Sequence, residues 1–387
     1  MKPKRKAMVA NARLKPAPRI VRPVPGMSLP KPRTPVPGGS AQVGARPTTS
    51  TTSTSSSSAG PALDALGGRP VDLEVDLGRG LVLANPILAA SGPFGYGVEV
   101  VDVADLERLG ALVTRGTSLK PRSGHPSPRM VEVPAGLLLG MGPQNPGLDT
   151  VLDRYAGTWA TWSVPVILNL CADGAGDAAE ALRRLEGAPG IAGVELNLSC
   201  ATSGRGTIVG LDPGAASSFV AAARRATDLP LIAKLTAAAA DIRGVAKAVE
   251  DAGADAISEI NTLPGLALAA DRRGPALGSD YGGLCGPALR PIALRVVWEV
   301  AQVVDVPVIG IGGVATLDDV LDMLAAGACA VGVGVAALAD PMLPVRLADE
   351  LADACRARGV ASARDLVGTA LPARPSAPST HGAEYDR

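Results

Sequence analysis

From about residue 70 onward, short apolar runs alternate with segments whose apolar residues recur at helical spacing. Eight runs have the length of a strand: 84–90, 110–117, 165–171, 193–199, 231–236, 256–262, 307–313 and 330–336. The segments with helical period are 177–187, 213–228, 241–253 and 316–327. This alternation predicts a parallel sheet covered by helices, and eight units in about 300 residues favour an α/β fold of the (β/α)8 TIM-barrel type. A doubly wound sheet is the alternative, but no GxGxxG follows the first run.

The two ends of the chain differ in composition from this central part. Residues 1–63 contain eleven Lys or Arg and no Asp or Glu, and they include the run RPTTSTTSTSSSSAGP. Such a segment buries too little apolar surface to offset its chain entropy. We therefore predict a disordered basic Pro/Ser/Thr-rich tail over 1–68, one barrel domain over 69–370 and a disordered tail over 371–387. A basic arm that contacts nucleic acid or a partner is the alternative, but no aromatic residues interleave its charges, so we expect no nucleic-acid partner.

Composition narrows the chemistry that the barrel could carry. The chain has 387 residues, of which 47% are hydrophobic and 19% charged, which is enough for a large core. Its cysteines show no CxxC spacing, which argues against a zinc site or an iron–sulfur cluster held by this chain and favours a reducing cytoplasm: they are Cys171, Cys200, Cys285, Cys329 and Cys355. No apolar run reaches the length of a membrane span, so we expect no membrane contact.

Catalytic groups of such barrels lie at the carboxyl ends of the strands. The predicted strands all end in polar residues or glycines. These strand-end residues are Ser91, Arg115, Gly116, Asn169, Asn197, Cys200, Lys234, Asn261, Thr262, Gly312, Gly313, Gly334 and Val335. Any one of them could be a simple turn former, but their joint occurrence predicts a functional rim.

Three kinds of strand-end residue suggest a ligand. The glycines after the last two strands could bring backbone N–H groups to a phosphate, or could allow tight packing of strand against helix. Lys234 ends an apolar strand and must meet a negative group, such as a reduced flavin, or lose its charge. Asn169 and Asn197 could bind the polar edge of a flavin or an imide-like ring, or could satisfy buried backbone groups.

Cys200 follows the strand 193–199 and precedes a loop of small polar residues that could act as a lid. A thiol has a pKa near 8.5, close enough to neutrality to remove a proton from a carbon acid in an adapted site. Inert packing is the alternative. The base hypothesis is favoured because the chain has only two histidines, His125 and His381. The other four cysteines are expected to be structural, with Cys285 set apart by its glycine-rich loop.

Several motifs resemble the class 1 dihydroorotate dehydrogenases, and most closely their 1B type. They are NPILAASGPFGYG, GMGPQNPGLD, VELNLSC, INTLPGLAL, GGLCGPALRPIALR and VIGIGGV, within about residues 70 to 345. The resemblance implies a barrel that binds flavin mononucleotide (FMN) and oxidises dihydroorotate to orotate in pyrimidine synthesis. It also implies a homodimer core, and a separate electron-transfer subunit with FAD and a [2Fe-2S] cluster; fumarate is the alternative electron acceptor.

The resemblance assigns roles to residues of this chain. Cys200 would be the base that removes the C5 proton while hydride passes from C6 to flavin N5. The implied substrate-binding residues are Arg115, Asn145, Asn197, Asn261, Thr262 and Thr202. The implied FMN-binding residues are Ser91, Arg115, Gly116, Asn169, Asn197, Lys234, Ile260, Gly286, Gly312, Gly313, Gly334 and Val335.

Departures from the family pattern leave the substrate open. Arg115 stands where the family has lysine, and Thr202 stands where it has a substrate-binding asparagine. The family's KLTPN becomes KLTAA at Ala237 and Ala238, its GGLSGPA becomes GGLCGPA at Cys285, and its GNPPPR becomes GHPSPR at His125. Removing an amide that pairs with a buried substrate group costs about 1–3 kcal/mol. A flavin-dependent dihydropyrimidine dehydrogenase with another substrate, or a catalytically silent binding subunit, therefore remain alternative hypotheses.

Overall fold

The structure is a computed structural model and describes residues 70–200 and 208–373. Its strands in these ranges are, in chain order, β1 Val75–Asp76, β2 Val82–Leu83, β3 Ile87–Ala89, β4 Ala111–Val113, β5 Met130–Val133, β6 Gly136–Leu139, β7 Val166–Leu170, β8 Gly193–Asn197, β9 Leu231–Lys234, β10 Ala256–Glu259, β11 Leu263–Gly265, β12 Gly282–Cys285, β13 Val308–Ile311 and β14 Ala330–Val333.

The helices of the same ranges form the layer outside these strands. The α-helices are α1 Leu148–Val151, α2 Gly157–Trp159, α3 Ala175–Leu185, α4 Pro213–Arg224, α5 Ile242–Asp251, α6 Arg290–Val300, α7 Leu317–Ala325, α8 Ala336–Ala339 and α9 Leu343–Arg358. Short 3-10 helices cover Leu106–Arg108, Val209–Leu211, Pro287–Leu289 and Ala363–Leu366, and a π-helical segment covers Leu152–Ala156.

Eight of the strands close into a parallel barrel in the order β10-β13-β14-β3-β4-β7-β8-β9. Each of the eight predicted apolar runs contains one of these strands, so the TIM-barrel prediction is confirmed. The register pairs Asn169 of β7 with Glu195 of β8, and Asn197 of β8 with Lys234 of β9. Polar residues on neighbouring strands are thereby brought to the same height in the barrel.

Alternation along the strands sorts the barrel interior into an apolar layer and a polar layer. Successive side chains of a strand point to opposite faces, so residues two apart share a face. Ile167 and Ile232 belong to the apolar cluster inside the barrel, and Asn169 and Lys234 lie two residues further along the same strands. The β1–β2 hairpin adds its leucines to the apolar cluster. The polar layer therefore lies towards the carboxyl ends of the strands.

The four predicted helices are confirmed as α3, α4, α5 and α7, with ends shifted by a few residues. Three of them begin at a side chain that caps the first turn. Asp212 accepts from the N–H of Ala215 at the start of α4, and Asp241 caps α5 in the same way. Thr316 caps α7 in a capping box with Asp319. These caps satisfy N–H groups that have no partner within the helix.

A second sheet of four antiparallel strands, in the order β11-β12-β6-β5, was not predicted. β5 and β6 lie in the segment between β4 and β7, whereas β11 and β12 follow β10. The central pairing joins β12 to β6, with Leu284 opposite Leu138. Two segments far apart in sequence are thus held together beyond the carboxyl ends of β4 and β10.

Several predictions fall outside the described ranges. The predicted tail 1–68, most of the predicted tail 371–387 and the proposed substrate residue Thr202 are among them, and they stay predictions. Within the described ranges, no helix has both the length and the apolar character needed to cross a membrane.

Glu259 of β10 is a buried carboxyl without a hydrogen-bond partner among the described residues. Its neighbour Ser258 points to the barrel interior, so Glu259 points to the helix layer. Burial, and secondarily the charge of Glu299, raise the pKa of Glu259 well above its ordinary value. The folded state keeps this group protonated where the unfolded state ionises it, so stability is lost as pH rises above about 4.3, the unfolded pKa.

Replacement of Glu259 by leucine is expected to raise the free energy of unfolding at pH 7 by about 1–3 kcal/mol, because an unpaired buried polar group is removed. Denaturant unfolding between pH 5 and 8 measures this gain, which should grow as pH rises. Glu259→Gln is the matched control, since it removes the titration but keeps a buried polar group. A gain of E259L that does not change with pH would contradict this account.

Candidate active site

A buried ion pair forms the base of the polar layer. Lys234 Nζ lies 3.1 Å from Glu195 Oε1, and the two side chains are 5% and 1% exposed. Asn169 Nδ2 also donates to Glu195 Oε1, and Ser258 Oγ donates to Oε2 at 2.7 Å. Four strands, β7 to β10, therefore supply one hydrogen-bonded group. Lys234 meets a negative side chain of the protein itself, which the sequence analysis did not foresee.

A row of three amides lies above this ion pair. Asn197 Nδ2 donates to Asn169 Oδ1 at 3.2 Å, and Asn261 Nδ2 donates to Asn197 Oδ1 at 3.3 Å. Ser199 Oγ donates to Asn197 Oδ1 at 2.9 Å and accepts from Asn261 Nδ2 at 2.5 Å. The predicted residues Asn169, Asn197 and Asn261 are thus brought together, with Asn169 buried and the other two half-buried.

Cys200 lies in the turn after β8, where its N–H donates to the carbonyl of Asn197. Its half-buried thiol accepts from Nη1 of Arg122 at 3.9 Å. Hydrogen bonding with the thiol of Cys171, followed by the charge of Arg122, lowers the pKa of Cys200 to about 7 against the opposing effects of burial and Asp173. Cys200 therefore has the ionisation expected of a base that works near neutral pH.

Arg122 is held beside Cys200 by contacts of both its guanidinium and its backbone. Nη2 forms an ion pair with Asp173 at 2.7 Å. Its backbone forms an antiparallel bridge with Asn145, through N–H to carbonyl distances of 2.9 and 3.0 Å. Arg122 was not singled out from the sequence, because it lies in a loop rather than at a strand end.

Asn145 is buried, and its side-chain amide forms hydrogen bonds with residues of the same loop, between β4 and β7. Oδ1 accepts from the N–H groups of Ser118 and Gly147, while Nδ2 donates to Ser118 Oγ and to the carbonyl of Pro143. These contacts hold the loop that positions Arg122. Its predicted contact with the substrate stays a prediction.

Arg115 has a half-buried guanidinium with no acceptor among the residues that the structure describes. Its backbone is held firmly: its N–H donates to Gly95 at 2.7 Å, and its carbonyl accepts from the hydroxyls of Thr114 and Thr117. Arg115 follows β4, so this cation lies on the same rim as the amide row. It is available to a negative ligand.

The glycines of the last two strands fit both interpretations that were open at the sequence level. Gly313 has a φ of 74°, and a Cβ there would lie 2.7 Å from the backbone nitrogen of Arg290, so it allows close packing against α6. A Cβ at Gly334 would meet nothing within 4 Å. The N–H groups of Gly313, Gly334 and Val335 have no acceptor within the described ranges. Neighbouring strand ends thus present three backbone N–H groups that could donate hydrogen bonds to an anion.

The remaining predicted residues lie around this rim. Ser91 follows β3 and Ile260 follows β10, and Ile260 is buried. Thr262 is exposed, and its N–H donates to Asn261 Oδ1. Gly286 has a φ of 97° and packs against Gly136 of β6. Gly312 follows β13, where a Cβ would lie 2.7 Å from that of Ala293.

Comparison with known proteins defines the family. The family model described as dihydroorotate dehydrogenase matches residues 73–355, well over half of the chain. The chain belongs to the dihydroorotate dehydrogenase family. Two relatives, each named "Dihydroorotate dehydrogenase B (NAD(+)), catalytic subunit", come from Geotalea uraniireducens and Pelobacter propionicus. The first is 43% identical over 305 residues, covering 79% of this chain and 99% of the relative. The second is 46% identical over 298 residues, covering 77% and 98%.

A solved structure has the same fold. The crystal structure of the dihydroorotate dehydrogenase of Eimeria tenella in complex with ferulenol aligns with a TM-score of 0.66 over 79% of this chain and 92% of that chain. Sequence identity is 20%, so this likeness concerns the fold alone.

Glu195 and Cys171 were missed by the sequence analysis, although strand alternation could have identified both. Glu195 lies two residues before Asn197, and Cys171 lies two residues after Asn169, so each shares a face with a predicted site residue. The other cysteines behave as structural groups. Burial raises the pKa of Cys285 to about 11 and that of Cys329 to about 12, and it also raises the pKa of Cys355.

Glu195→Gln is expected to destabilise the fold by about 3–5 kcal/mol, because Lys234 would be left buried without a counter-charge. Denaturant unfolding of the single variant and of the double variant Glu195→Gln/Lys234→Met measures this effect. The double variant should recover part of the loss, since it removes the unpaired charge. If both variants lose the same stability, the ion pair is not the cause.

Proposed function

We propose that this protein is an FMN-dependent dihydroorotate dehydrogenase that oxidises (S)-dihydroorotate to orotate, with Cys200 as the base. The observation that carries this proposal is the thiol of Cys200, whose pKa is lowered to about 7 beside Arg122. It lies next to an amide row on the rim of a barrel of this family. Few other side chains on the rim could remove a proton at neutral pH, because the rim residues are mainly amides, cations and glycines.

The rim has donors suited to FMN. The free N–H groups of Gly313, Gly334 and Val335 would bind its phosphate, with Gly286 and Gly312 beside them. The side chains of Lys234, Asn169 and Asn197 would face the ring, together with Ser91, Arg115, Gly116 and Ile260. When bound, FMN supplies the two-electron acceptor for the C6–H bond that the reaction breaks.

Dihydroorotate is a cyclic imide with a carboxylate, and the rim offers partners for both groups. We infer that Arg115, whose guanidinium has no acceptor among the described residues, binds negative charge of the substrate or the flavin. Asn197 and Asn261 would bind the imide and carboxylate, with Thr262 and Asn145 nearby. Thr202, outside the described residues, would complete the set.

The proton step uses side chains of this chain alone. The Cys200 thiolate takes the C5 proton of the substrate and becomes a thiol. The charge of Arg122 stabilises the thiolate before the step, and Asp173 holds Arg122 in place. The proton then leaves to solvent through the rim before the next turnover.

Two alternatives keep the fold but change the activity. Uracil and thymine rings lack the carboxylate, so the guanidinium of Arg115, which has no acceptor in the described part of the chain, favours dihydroorotate over them. A silent binding subunit would have no need of a thiol with a lowered pKa. Comparing reoxidation of the reduced flavin by orotate, uracil and thymine separates these substrates, and a protein that binds no FMN would support the silent subunit.

We also propose that electrons leave through a partner subunit with FAD and a [2Fe-2S] cluster, and that two copies of this chain form the core. The relatives are named as catalytic subunits of an NAD(+) enzyme, which supports such an arrangement. Co-expression with a candidate reductase, followed by co-purification and NAD+ reduction, tests it. Reduction of fumarate by the isolated chain would instead favour the alternative acceptor.

Cys200→Ala is expected to slow flavin bleaching by dihydroorotate about 10²–10⁴-fold, the usual contribution of a general base. Anaerobic stopped-flow absorbance measures the rate, and the flavin spectrum verifies that FMN is retained. Cys329→Ala is the matched control, because it removes a thiol before β14, at the opposite end of the barrel. Equal rates in C200A and the wild type would reject Cys200 as the base.

The rate of flavin reduction should depend on pH through the Cys200 thiol. The thiolate is the active form, so the rate should reach a plateau above pH 7 and fall as pH drops below its pKa of about 7. Stopped-flow measurements from pH 5.5 to 9 test this. A rate that rises towards acid pH would contradict a thiolate base.

A further inference from the structure

The three amides of the rim form a hydrogen-bonded row that runs in one direction. Asn169 donates through Nδ2 to Glu195 Oε1. Asn197 Nδ2 donates to Asn169 Oδ1 at 3.2 Å, and Asn261 Nδ2 donates to Asn197 Oδ1 at 3.3 Å. Each amide therefore presents its NH2 group to the neighbour nearer Glu195, and its oxygen faces the other way.

The buried end of the row can be satisfied in one direction only. An amide can be turned over with little change in shape, so its neighbours decide where its oxygen and its NH2 group lie. Glu195 is 1% exposed and pairs with Lys234 at 3.1 Å, and Ser258 donates to its other oxygen. A carboxylate accepts hydrogen bonds and donates none, so a turned Asn169 would bring two buried oxygens together. Glu195 thus fixes the direction of Asn169, and Asn169 fixes that of Asn197.

The outer end of the row restrains the direction less. Asn261 Oδ1 accepts from the N–H of Thr262 at 2.8 Å, which agrees with the same direction. Thr262 is exposed, so solvent can replace Asn261 as the partner of that N–H. The hydroxyl of Ser199 donates to Asn197 and accepts from Asn261, and a hydroxyl can exchange these two roles. The direction is therefore set at the buried end, by Glu195.

The direction of the row determines which atoms are left for a ligand. Each NH2 group has two hydrogens, and each amide oxygen has two lone pairs. Among the described residues, one N–H hydrogen of Asn169, one of Asn197 and one lone pair of Asn261 Oδ1 have no partner. Two donors and one acceptor complement the C=O and N–H groups of an imide ring. A reversed row would exchange donors for acceptors.

We propose that Glu195 is a positioning residue that determines specificity: it fixes the direction of the amide row, and the row thereby selects rings with the imide pattern of C=O and N–H groups. This inference rests on the proposed function, which places orotate at the row. It gives Glu195 a role in substrate choice that is separate from its neutralisation of Lys234.

Two ring compounds that differ in this pattern alone test the proposal. Orotate has an N–H group at N3 and a carbonyl at C4, whereas cytosine-6-carboxylate has an acceptor nitrogen at N3 and an amino group at C4. Both carry the carboxylate, so Arg115 contributes equally to both. The measurement is the ratio of their dissociation constants, from titration calorimetry of the FMN-loaded protein with FMN in excess. Loosened packing weakens both compounds alike, whereas a change in the direction of the row alters the ratio.

The variants remove the acceptor at the buried end or keep it. Glu195→Leu removes it. Glu195→Gln is the matched control, because Lys234 can only donate and so keeps the introduced amide oxygen facing itself and Asn169. In the double variant Glu195→Gln/Lys234→Met this restraint is gone, and the introduced amide can turn either way. The double variant also leaves no buried charge unpaired, so it carries the test if the single variants do not fold.

The wild type and Glu195→Gln should bind orotate about 100-fold or more tightly than cytosine-6-carboxylate. In Glu195→Leu and in the double variant this preference should fall below about tenfold. A wild type without the preference, or variants that keep it in full, would overturn the proposal while orotate binding upholds the proposed function. A wild type that binds neither compound would reject the proposed function, and this inference with it.

Discussion

Closure of eight parallel strands is the constraint on which the site depends. Because all eight run in the same direction, their carboxyl ends meet on one rim, and residues distant in sequence become neighbours. Asn169, Asn197 and Asn261 form one hydrogen-bonded row only because β7, β8, β9 and β10 keep a common register. The apolar layer and the β1–β2 hairpin fill the amino-terminal end of the barrel, so the polar groups rest on a packed apolar core.

Two groups of charged side chains lie in and below this rim, and they have different effects. Below the rim, Glu195 neutralises Lys234 and binds Asn169 and Ser258, so the buried charges are compensated. Near the rim, Arg122 is shared between Asp173 and the thiol of Cys200. The first arrangement compensates the buried charges, and the second favours the ionised form of the thiol that we propose as the base. Arg115 has no side-chain acceptor among the described residues.

The sequence predicted those features that repeat locally along the chain. Eight apolar runs and four amphipathic segments identified the barrel, and polar strand ends identified most of its rim. The β11-β12-β6-β5 sheet was missed because its strands are only three or four residues long. Its central pairing, of β12 with β6, also joins residues that are 148 positions apart, as Cys285 and Leu137 are. Arg122 was missed because its role depends on partners from other strands and loops, which no local pattern contains, whereas strand alternation could have identified Glu195 and Cys171.

The central claim is that the sulfur of Cys200 faces the carbon from which the proton leaves. A crystal structure of the protein with FMN and orotate measures this directly, as the distance from Sγ of Cys200 to C5 of the ring. The account predicts contact at about 3–3.5 Å, with Arg122 still beside the sulfur. A sulfur turned away from the ring, with another side chain over C5, would contradict it.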